Sequence, residues 1–126
     1  MRILFLGDVV GISGCSKLKS SLLSEIKSKK IDFVIANGEN AAAQGVGLTE
    51  EICKDFYNCG VNVITTGNHV WDQKEIMKYI EKEERLLRPK NLFEPAPGRG
   101  FQIFKTDKNI LIGVLILMGN GFMKKC

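Results

Sequence analysis

Histidine and paired cysteines are scarce in this sequence. His69 is the only histidine in 126 residues, so a metal site built from several imidazoles is excluded within the chain. The four cysteines, Cys15, Cys53, Cys59 and Cys126, contain no Cys-x-x-Cys pair and no zinc-finger spacing. We therefore expect buried or incidental thiols rather than a zinc module.

Long apolar runs are also missing. The longest, Ile110–Met118, is about half of what a membrane-spanning helix needs. The apolar run near the N-terminus is interrupted by Asp8 and is too short for a signal peptide. The sequence therefore predicts a cytoplasmic protein with reduced thiols and no membrane partner.

A strong excess of one charge is absent as well. The 18 Lys and Arg residues exceed the 14 Asp and Glu residues by only four, and the basic residues are scattered. This distribution is more typical of solvated helix faces than of a nucleic-acid-binding stripe. It is compatible with a phosphorylated substrate but does not require one. Arg85, Arg88 and Arg99 are candidate phosphate contacts, although solvated loop charges are the simpler interpretation.

Alternating apolar runs and amphipathic segments make up most of the sequence. Its length and its 44% hydrophobic content predict a single domain over residues 1–126. Strand–helix–strand order predicts βαβ units with parallel strands. The predicted elements, in chain order, are strand 2–6, helix 16–30, strand 32–36, helix 49–58, strand 61–66, helix 72–84 with Asp72 as its cap, a connection over 85–100, and strands 101–104 and 110–117.

A short polar cluster follows each of the three predicted parallel strands: Gly7-Asp8, Gly38-Glu39-Asn40 and Gly67-Asn68-His69. The exits of parallel strands lie side by side at one edge of a sheet, where ligands bind in open α/β folds. Two carboxylates, two carboxamides and one imidazole would meet there, a donor set that suits Mn, Fe, Zn or Mg. We interpret the glycine that opens each cluster as freeing the backbone to turn tightly.

A simpler interpretation is that polar residues commonly end strands without binding anything. Three clusters in register favour the metal site. Two metal ions, however, require more ligands than these clusters provide.

Five segments together resemble the YmdB-type branch of the calcineurin-like metallophosphoesterases: MRILFLGDVVG, FVIANGENAAAQGVGLT, VITTGNHVWDQKEI, RLLRPKN and GRGF. The match runs in order over essentially the whole chain. The resemblance implies an α/β fold, the metallophosphoesterase sandwich, whose N-terminal half contains βαβ units and a mostly parallel sheet. It also implies two divalent metal ions, Fe, Mn or Zn, and hydrolysis of phosphodiesters such as 2′,3′-cyclic nucleotides.

The resemblance assigns a role to each cluster residue. Asp8 would bind one metal ion, Glu39 would bridge both, Asn40 would support the first and Asn68 would bind the second. His69 would face the substrate and stabilise the phosphate or protonate the leaving oxygen. The first motif reads Asp8-Val9-Val10, as it does in the YmdB-type branch. Many relatives in the wider superfamily have Asp-x-His in this motif.

Family members continue past the strand equivalent to Ile110–Met118 and carry further metal-binding histidines that this chain lacks. The resemblance therefore implies the N-terminal portion of a metallophosphoesterase domain, truncated at the C-terminus, with a complementing C-terminal half or a homo-oligomer as partner.

Two candidate functions follow. One is a dimetal phosphodiesterase that attacks phosphorus with hydroxide. The other is a non-catalytic remnant or binding module that retains part of the metal site. An uncovered strand at 110–117 also predicts an aggregation-prone or oligomeric chain.

Overall fold

The structure, a computed structural model, describes residues 1–93, 95–119 and 121. Its elements, in chain order, are β1 (Ile3–Leu6), α1 (Gly11–Lys29), β2 (Phe33–Asn37), α2 (Glu50–Asn58), β3 (Val63–Thr65), α3 (Ile76–Ile80), β4 (Leu86–Leu87), β5 (Phe101–Lys105) and β6 (Leu111–Leu115). The first four strands form a parallel sheet in the order β1-β2-β3-β4, and β5 pairs with β6 in a second, antiparallel sheet. The predicted α/β class is confirmed.

The βαβ units predicted from the alternating pattern are confirmed. Helix α1 connects β1 to β2, and α2 connects β2 to β3. Strands β2 and β3 lie in the middle of the sheet and are almost completely buried, as their continuous apolar runs indicate. Leu18 and Leu22 of α1 and Phe56 of α2 pack in one cluster with Val34 and Ile64 of these strands.

The β5–β6 hairpin packs on the opposite face of the parallel sheet. Alternate residues of β2, Phe33 and Ile35, join a second apolar cluster with Ile112 and Val114 of β6. The rings of Phe33 and Phe104 contact each other with centroids 5.9 Å apart. The described chain therefore has three layers: helices, parallel sheet and hairpin.

Strand β1 differs from the prediction that it is buried on both faces. It is an edge strand, and Ile3 and Phe5 are exposed while Leu4 and Leu6 are half-buried. An apolar run indicates that a strand belongs in a sheet, but it does not indicate what lies beyond the strand's free edge. The prediction was wrong for that reason.

Helix α1 begins at Gly11, five residues earlier than the predicted start at Ser16. The predicted loop is helical because the Gly11 backbone N–H donates to the Asn40 carbonyl at 2.8 Å, which fixes the first turn against the β2 exit. Helix α2 begins as predicted: Thr49 is its N-cap, and its hydroxyl accepts a hydrogen bond from the Ile52 N–H at 3.3 Å.

Two elements that follow β3 in the chain differ from the prediction. The helix expected over 72–84 is reduced to α3, and Asp72 does not cap it because the Asp72 carboxylate pairs with His69. Strand β4 lies within the connection expected over 85–100. Only its pairing with β3 reveals it, since two leucines carry no strand pattern.

The connection after β4 is held by a buried arginine. Arg88 is 3% exposed and its guanidinium donates to the carbonyls of Pro89, Ala96 and Pro97, each at 3.0 Å. This side chain anchors the proline-containing segment between the two sheets.

Within the described residues, no helix has the length and apolar character needed to cross a membrane.

Candidate active site at the strand ends

The exits of β1 and β2 are tied together by backbone and side-chain hydrogen bonds. The Val9 N–H donates to the Asn37 carbonyl at 3.0 Å, directly beside Asp8. The Asn40 Nδ2 donates to both carboxylate oxygens of Asp8, at 2.9 and 3.0 Å. The structure therefore brings the predicted Asp8 and Asn40 into contact at an exposed position.

Glu39 occupies a more enclosed position between the exits. It is half-buried and lines a cavity of about 310 Å³ together with Asn68, Asn37 and Thr65. Burial raises the pKa of the Glu39 carboxyl, and the negative charge of Asp8 raises that pKa further. The His69 backbone N–H and the His69 ring oppose this rise in pKa. Glu39 is therefore electrostatically coupled to both neighbouring clusters.

Gly67 provides the space that Glu39 occupies. A Cβ at position 67 would lie 1.9 Å from the Glu39 Oε2 and 2.7 Å from its Cδ. Gly67 does not have a positive φ, nor do Gly7 and Gly38, so the prediction that these glycines free the backbone to turn was wrong. At Gly67 the glycine leaves room for the Glu39 carboxylate, which would have to move if a Cβ were added.

His69 is held by a carboxylate that is not among the predicted site residues. Its Nδ1 lies 2.7 Å from the Asp72 Oδ2, and both side chains are partly exposed. The sequence pattern assigns Asp72 to a helix cap, because an Asp at the start of an amphipathic segment usually has that role. The signal that could have identified it is its position three residues after the only histidine.

Three oxygen atoms at the strand ends have no hydrogen-bond partner among the described residues although they are buried: Asn37 Oδ1, Glu39 Oε2 and Asn40 Oδ1. Buried oxygens without partners are costly, and a bound cation would satisfy them. Asn37 is not a predicted site residue. Carboxylate and carboxamide oxygens fit a divalent cation, so the donor set agrees with the metal site implied by the resemblance.

The described donor set is nevertheless small. Across the part of the chain that the structure describes, no three or more His, Cys, Asp or Glu side chains come together in a group able to hold a metal ion. Asp8 and Glu39 are the two carboxylates at the strand ends, and the other predicted ligands, Asn40 and Asn68, are neutral. The shortage of ligands that the sequence predicts is therefore also found among the described residues.

The three arginines of the 85–100 connection contact other protein groups, although the buried Arg99 Nη1 has no hydrogen-bond partner among the described residues. The Arg85 Nε donates to Glu83 at 3.0 Å, and its guanidinium lies 3.8 Å from the centre of the Tyr57 ring. Arg99 faces Glu84 at 3.5 Å. Together with the buried Arg88, these side chains stabilise the connection.

Comparison with known proteins supports the resemblance. The family model described as YmdB-like protein matches residues 4–126. The chain is 44% identical over 124 residues to a 2′,3′-cyclic-nucleotide 2′-phosphodiesterase of Bacillus subtilis (strain 168), a match covering 98% of this chain and 46% of that protein. It is 40% identical over 113 residues to a putative phosphatase/phosphodiesterase of Mycoplasma pneumoniae, covering 86% of this chain and 40% of that protein.

Two crystal structures share the fold. A hypothetical protein from Thermus thermophilus superimposes with a TM-score of 0.90 at 35% identity, covering 98% of this chain and 47% of the other. A novel phosphatase from Mycoplasma pneumoniae gives a TM-score of 0.86 at 33% identity, covering 95% of this chain and 43% of the other. The chain thus spans about half the length of the proteins that it matches.

Proposed function

This chain belongs to the YmdB-like protein family, and we propose that it contributes to a metal-dependent phosphodiesterase that hydrolyses phosphodiesters such as 2′,3′-cyclic nucleotides. The names of its relatives support a phosphoesterase function. The observation that carries the proposal is the group of buried, unpartnered oxygens of Asn37, Glu39 and Asn40 at the strand exits.

The residues proposed to hold two divalent cations, Fe, Mn or Zn, are those to which the family resemblance gives that role. Asp8 and Asn40, already in contact, would hold one cation; Asn68 would hold the second, and Glu39 would contribute to both. When bound, such cations stabilise the charge of a phosphoryl group and lower the pKa of an attacking water. Burial and repulsion by the Asp8 carboxylate both raise the pKa of Glu39, and a nearby positive charge would offset both effects.

His69 would act on the substrate from beside the metal site. Asp72 occupies its Nδ1, which leaves Nε2 as the ring nitrogen available to a phosphodiester. When the ring carries a second proton on Nε2, that proton could pass to the leaving oxygen, or the positive charge of the ring could offset the charge on the phosphoryl group. Asp72 would fix the ring in the required orientation.

A non-catalytic binding module that retains part of the metal site is the second candidate function. It is favoured by the absence, across the described residues, of a group of three or more His, Cys, Asp or Glu side chains. Under this proposal the cavity at Glu39 and Asn68 binds a ligand without turnover.

Metal content and turnover distinguish the two candidates. The purified chain is incubated with Mn²⁺, its metal content is measured, and hydrolysis of bis-p-nitrophenyl phosphate and 2′,3′-cyclic AMP is followed. About two ions per chain with hydrolysis would support the enzyme. One ion or none, without hydrolysis, would support the binding module for this chain by itself.

Two variants sharpen the same experiment. Asn68→Ala should lower the metal content, whereas His69→Ala should lower turnover and leave the metal content nearly unchanged. Loss of metal in His69→Ala would show that His69 is a ligand. Asp107→Asn, in the exposed turn of the hairpin, is the control and should change neither quantity.

We also propose a cytoplasmic location. Cys15, Cys53 and Cys59 are free thiols, as expected in a reducing compartment. Burial raises the pKa of the Cys53 thiol, which makes this group unreactive. Fractionation of the source cells with an antibody to the chain would test the location.

A further inference from the structure

We propose that Gln73 is a positioning residue for His69. Its side chain connects the turn that carries Asp72 to the loop of residues 41–47, and Asp72 in turn holds the His69 ring. A role for Gln73 in catalysis rests on the proposed function. Its effect on the orientation of the ring does not, and that effect can be measured without turnover.

The turn that carries Asp72 has little regular structure of its own. Residues 69–75 lie between β3 and α3 and belong to neither a helix nor a strand. The Val70 N–H donates to the Gly67 carbonyl at 3.3 Å, and the Asp72 N–H donates to the His69 carbonyl at 3.2 Å. Both distances are long for a backbone hydrogen bond. The orientation of the turn therefore depends on its contacts with other segments.

The Gln73 side chain makes one such contact. Its Nε2 donates to the Val46 carbonyl at 3.2 Å, across 27 residues of sequence. Val46 belongs to the 41–47 loop, which follows Glu39 and Asn40 at the exit of β2. The hydrogen bond therefore connects the segment after β3 to the segment after β2, and both segments carry predicted site residues.

Gly47 brings the backbone of this loop against the same turn. Its φ is +82°, and a Cβ added to it would lie 2.8 Å from the Gln73 Cγ and 3.2 Å from the Asp72 Cβ. Such a Cβ would also lie 3.2 Å from the Gln73 backbone nitrogen, so moving one side chain would not make room for it. The Asp72 side chain thus lies against Gly47 at its Cβ and contacts the His69 ring at its carboxylate.

The 41–47 loop is itself well anchored, so it can support the turn. Ala41 and Ala42 are buried. The Ala42 N–H donates to the Gly47 carbonyl at 2.9 Å, which closes the loop on itself. The Cys15 thiol donates to the Ala41 carbonyl at 3.3 Å, which connects the loop to α1. The hydrogen bond from Gln73 therefore holds the turn against a fixed part of the fold.

This connection has a chemical consequence for the only histidine. With the turn held, the Asp72 carboxylate stays at the His69 Nδ1 and leaves Nε2 as the nitrogen available to a substrate. Without the Gln73 hydrogen bond, Asp72 can move away from the ring. The ring can then rotate and can carry its proton on either nitrogen, so Nε2 no longer has a fixed direction.

Val70 and Trp71 provide a different anchor for the same turn. Val70 is fully buried, and Trp71 packs against the core of the sheet and its helices. If these two side chains alone fixed the orientation of Asp72, removal of the Gln73 hydrogen bond would leave the His69 ring unchanged. The two explanations therefore predict different results for one substitution.

Nitrogen-15 NMR of the His69 ring in the full, metal-free chain distinguishes them. Gln73→Met removes the donor but keeps an unbranched side chain of similar length against Gly47. The spectra are recorded at about pH 8.5, where histidine rings are generally neutral. The ratio of the Nδ1–H to the Nε2–H tautomer should fall about threefold or more, since complete loss of a hydrogen bond to a charged group is worth about tenfold or more. An unchanged ratio would overturn the proposal.

Two further variants calibrate this measurement. Asp72→Ala removes the carboxylate and defines the ratio for complete loss of the contact. Gln44→Met is the matched control, because Gln44 is an exposed glutamine of the same loop without a hydrogen bond from its side chain in the described part of the chain. It should leave the ratio unchanged, and an equal fall in both glutamine variants would overturn the proposal. Unchanged hydrogen exchange over β2 and β3 verifies that each variant is folded.

Turnover separates this proposal from the proposed function. In a preparation that hydrolyses bis-p-nitrophenyl phosphate, Gln73→Met should lower kcat and leave KM and metal content nearly unchanged. A loss of metal in Gln73→Met would show that Gln73 supports the metal site rather than His69, and would overturn the proposal. The expected ring signals in a wild-type chain that does not hydrolyse phosphodiesters would contradict the proposed function and leave the effect of Gln73 on the ring intact.

Discussion

The Nδ1 of His69 lies 2.7 Å from the Oδ2 of Asp72, three residues further along the chain. The sequence predicts a helix from residue 72, but α3 begins at Ile76 and the Asp72 side chain contacts His69 instead. This contact gives the only histidine a defined orientation. Because a carboxylate accepts a hydrogen bond and cannot donate one when ionised, Nδ1 carries the proton. When the ring is neutral it is therefore held as the Nδ1–H tautomer, with Nε2 as the ring nitrogen that Asp72 does not occupy.

Replacing Asp72 by Asn should change that tautomer. The carboxamide can donate to Nδ1, so we expect the population of the Nε2–H form to rise. Nitrogen-15 NMR measures this directly, since one histidine gives one pair of ring signals. Asp107→Asn is the control. Ring signals unchanged in Asp72→Asn would mean that the contact does not hold the ring in solution.

Gly67→Ala should reduce Mn²⁺ affinity more than it reduces stability. The added Cβ would lie 1.9 Å from the Glu39 Oε2, at the flexible end of a side chain, so Glu39 must move while the backbone can stay. Titration calorimetry with Mn²⁺ and thermal unfolding measure the two effects. Gly7→Ala is the matched control because nothing lies within 4 Å of its added Cβ. Equal effects of both variants on affinity would contradict the crowding of Glu39.

Glu39→Gln should stabilise the metal-free chain at neutral pH. The pKa of Glu39 is raised above its ordinary value of 4.5, so the folded state binds more protons than the unfolded state over the range above that value. The wild type therefore loses stability as pH rises through this window, whereas the Gln variant does not.

The melting temperature, measured with a chelator present, should be higher in Glu39→Gln than in the wild type at pH 7. The difference should shrink as pH falls below 4.5, where the wild-type carboxyl is protonated in both states. Glu81→Gln, at an exposed position, is the control. A difference that grows toward low pH would show that the pKa is lowered instead.

The chain alone should associate or aggregate through its outer apolar surfaces. Leu111 and Leu115 of β6 are 67% and 52% exposed, on the face of the hairpin that points away from the parallel sheet. Exposed apolar strands promote association. Sedimentation velocity should detect oligomers, and hydrogen exchange should be faster over β6 than over β2. A monodisperse monomer with strong protection across residues 110–117 would be the contrary result.

Features set by local pattern could be predicted from the sequence. The runs that form β2 and β3 are apolar and β-branched, and Thr49 is followed by acidic residues in the first turn of α2, so their elements follow from nearby residues. The three polar clusters were located at the strand exits for the same reason. Their grouping at one edge of the sheet follows from parallel pairing.

Features set by distant contacts could not be predicted. The start of α1 depends on the Asn40 carbonyl, and β4 exists because Leu86 and Leu87 pair with β3. The sequence pattern predicts Asp72 as a helix cap. Its contact with His69 forms only once the turn has folded, so the pattern does not reveal it. Whether β1 is buried or exposed depends on whether another strand lies beside it. An apolar run in the sequence does not indicate that neighbour.

The strand order of the parallel sheet has a consequence for synthesis. Each of β2, β3 and β4 pairs with the strand that precedes it in the chain, so its partner has already left the ribosome when it emerges. Parallel strands are separated by a long crossover connection, so each pairing must wait until that connection has been made, and a domain generally folds as a unit. All four parallel strands lie within residues 1–87, so the whole parallel sheet has been synthesised before the hairpin of β5 and β6.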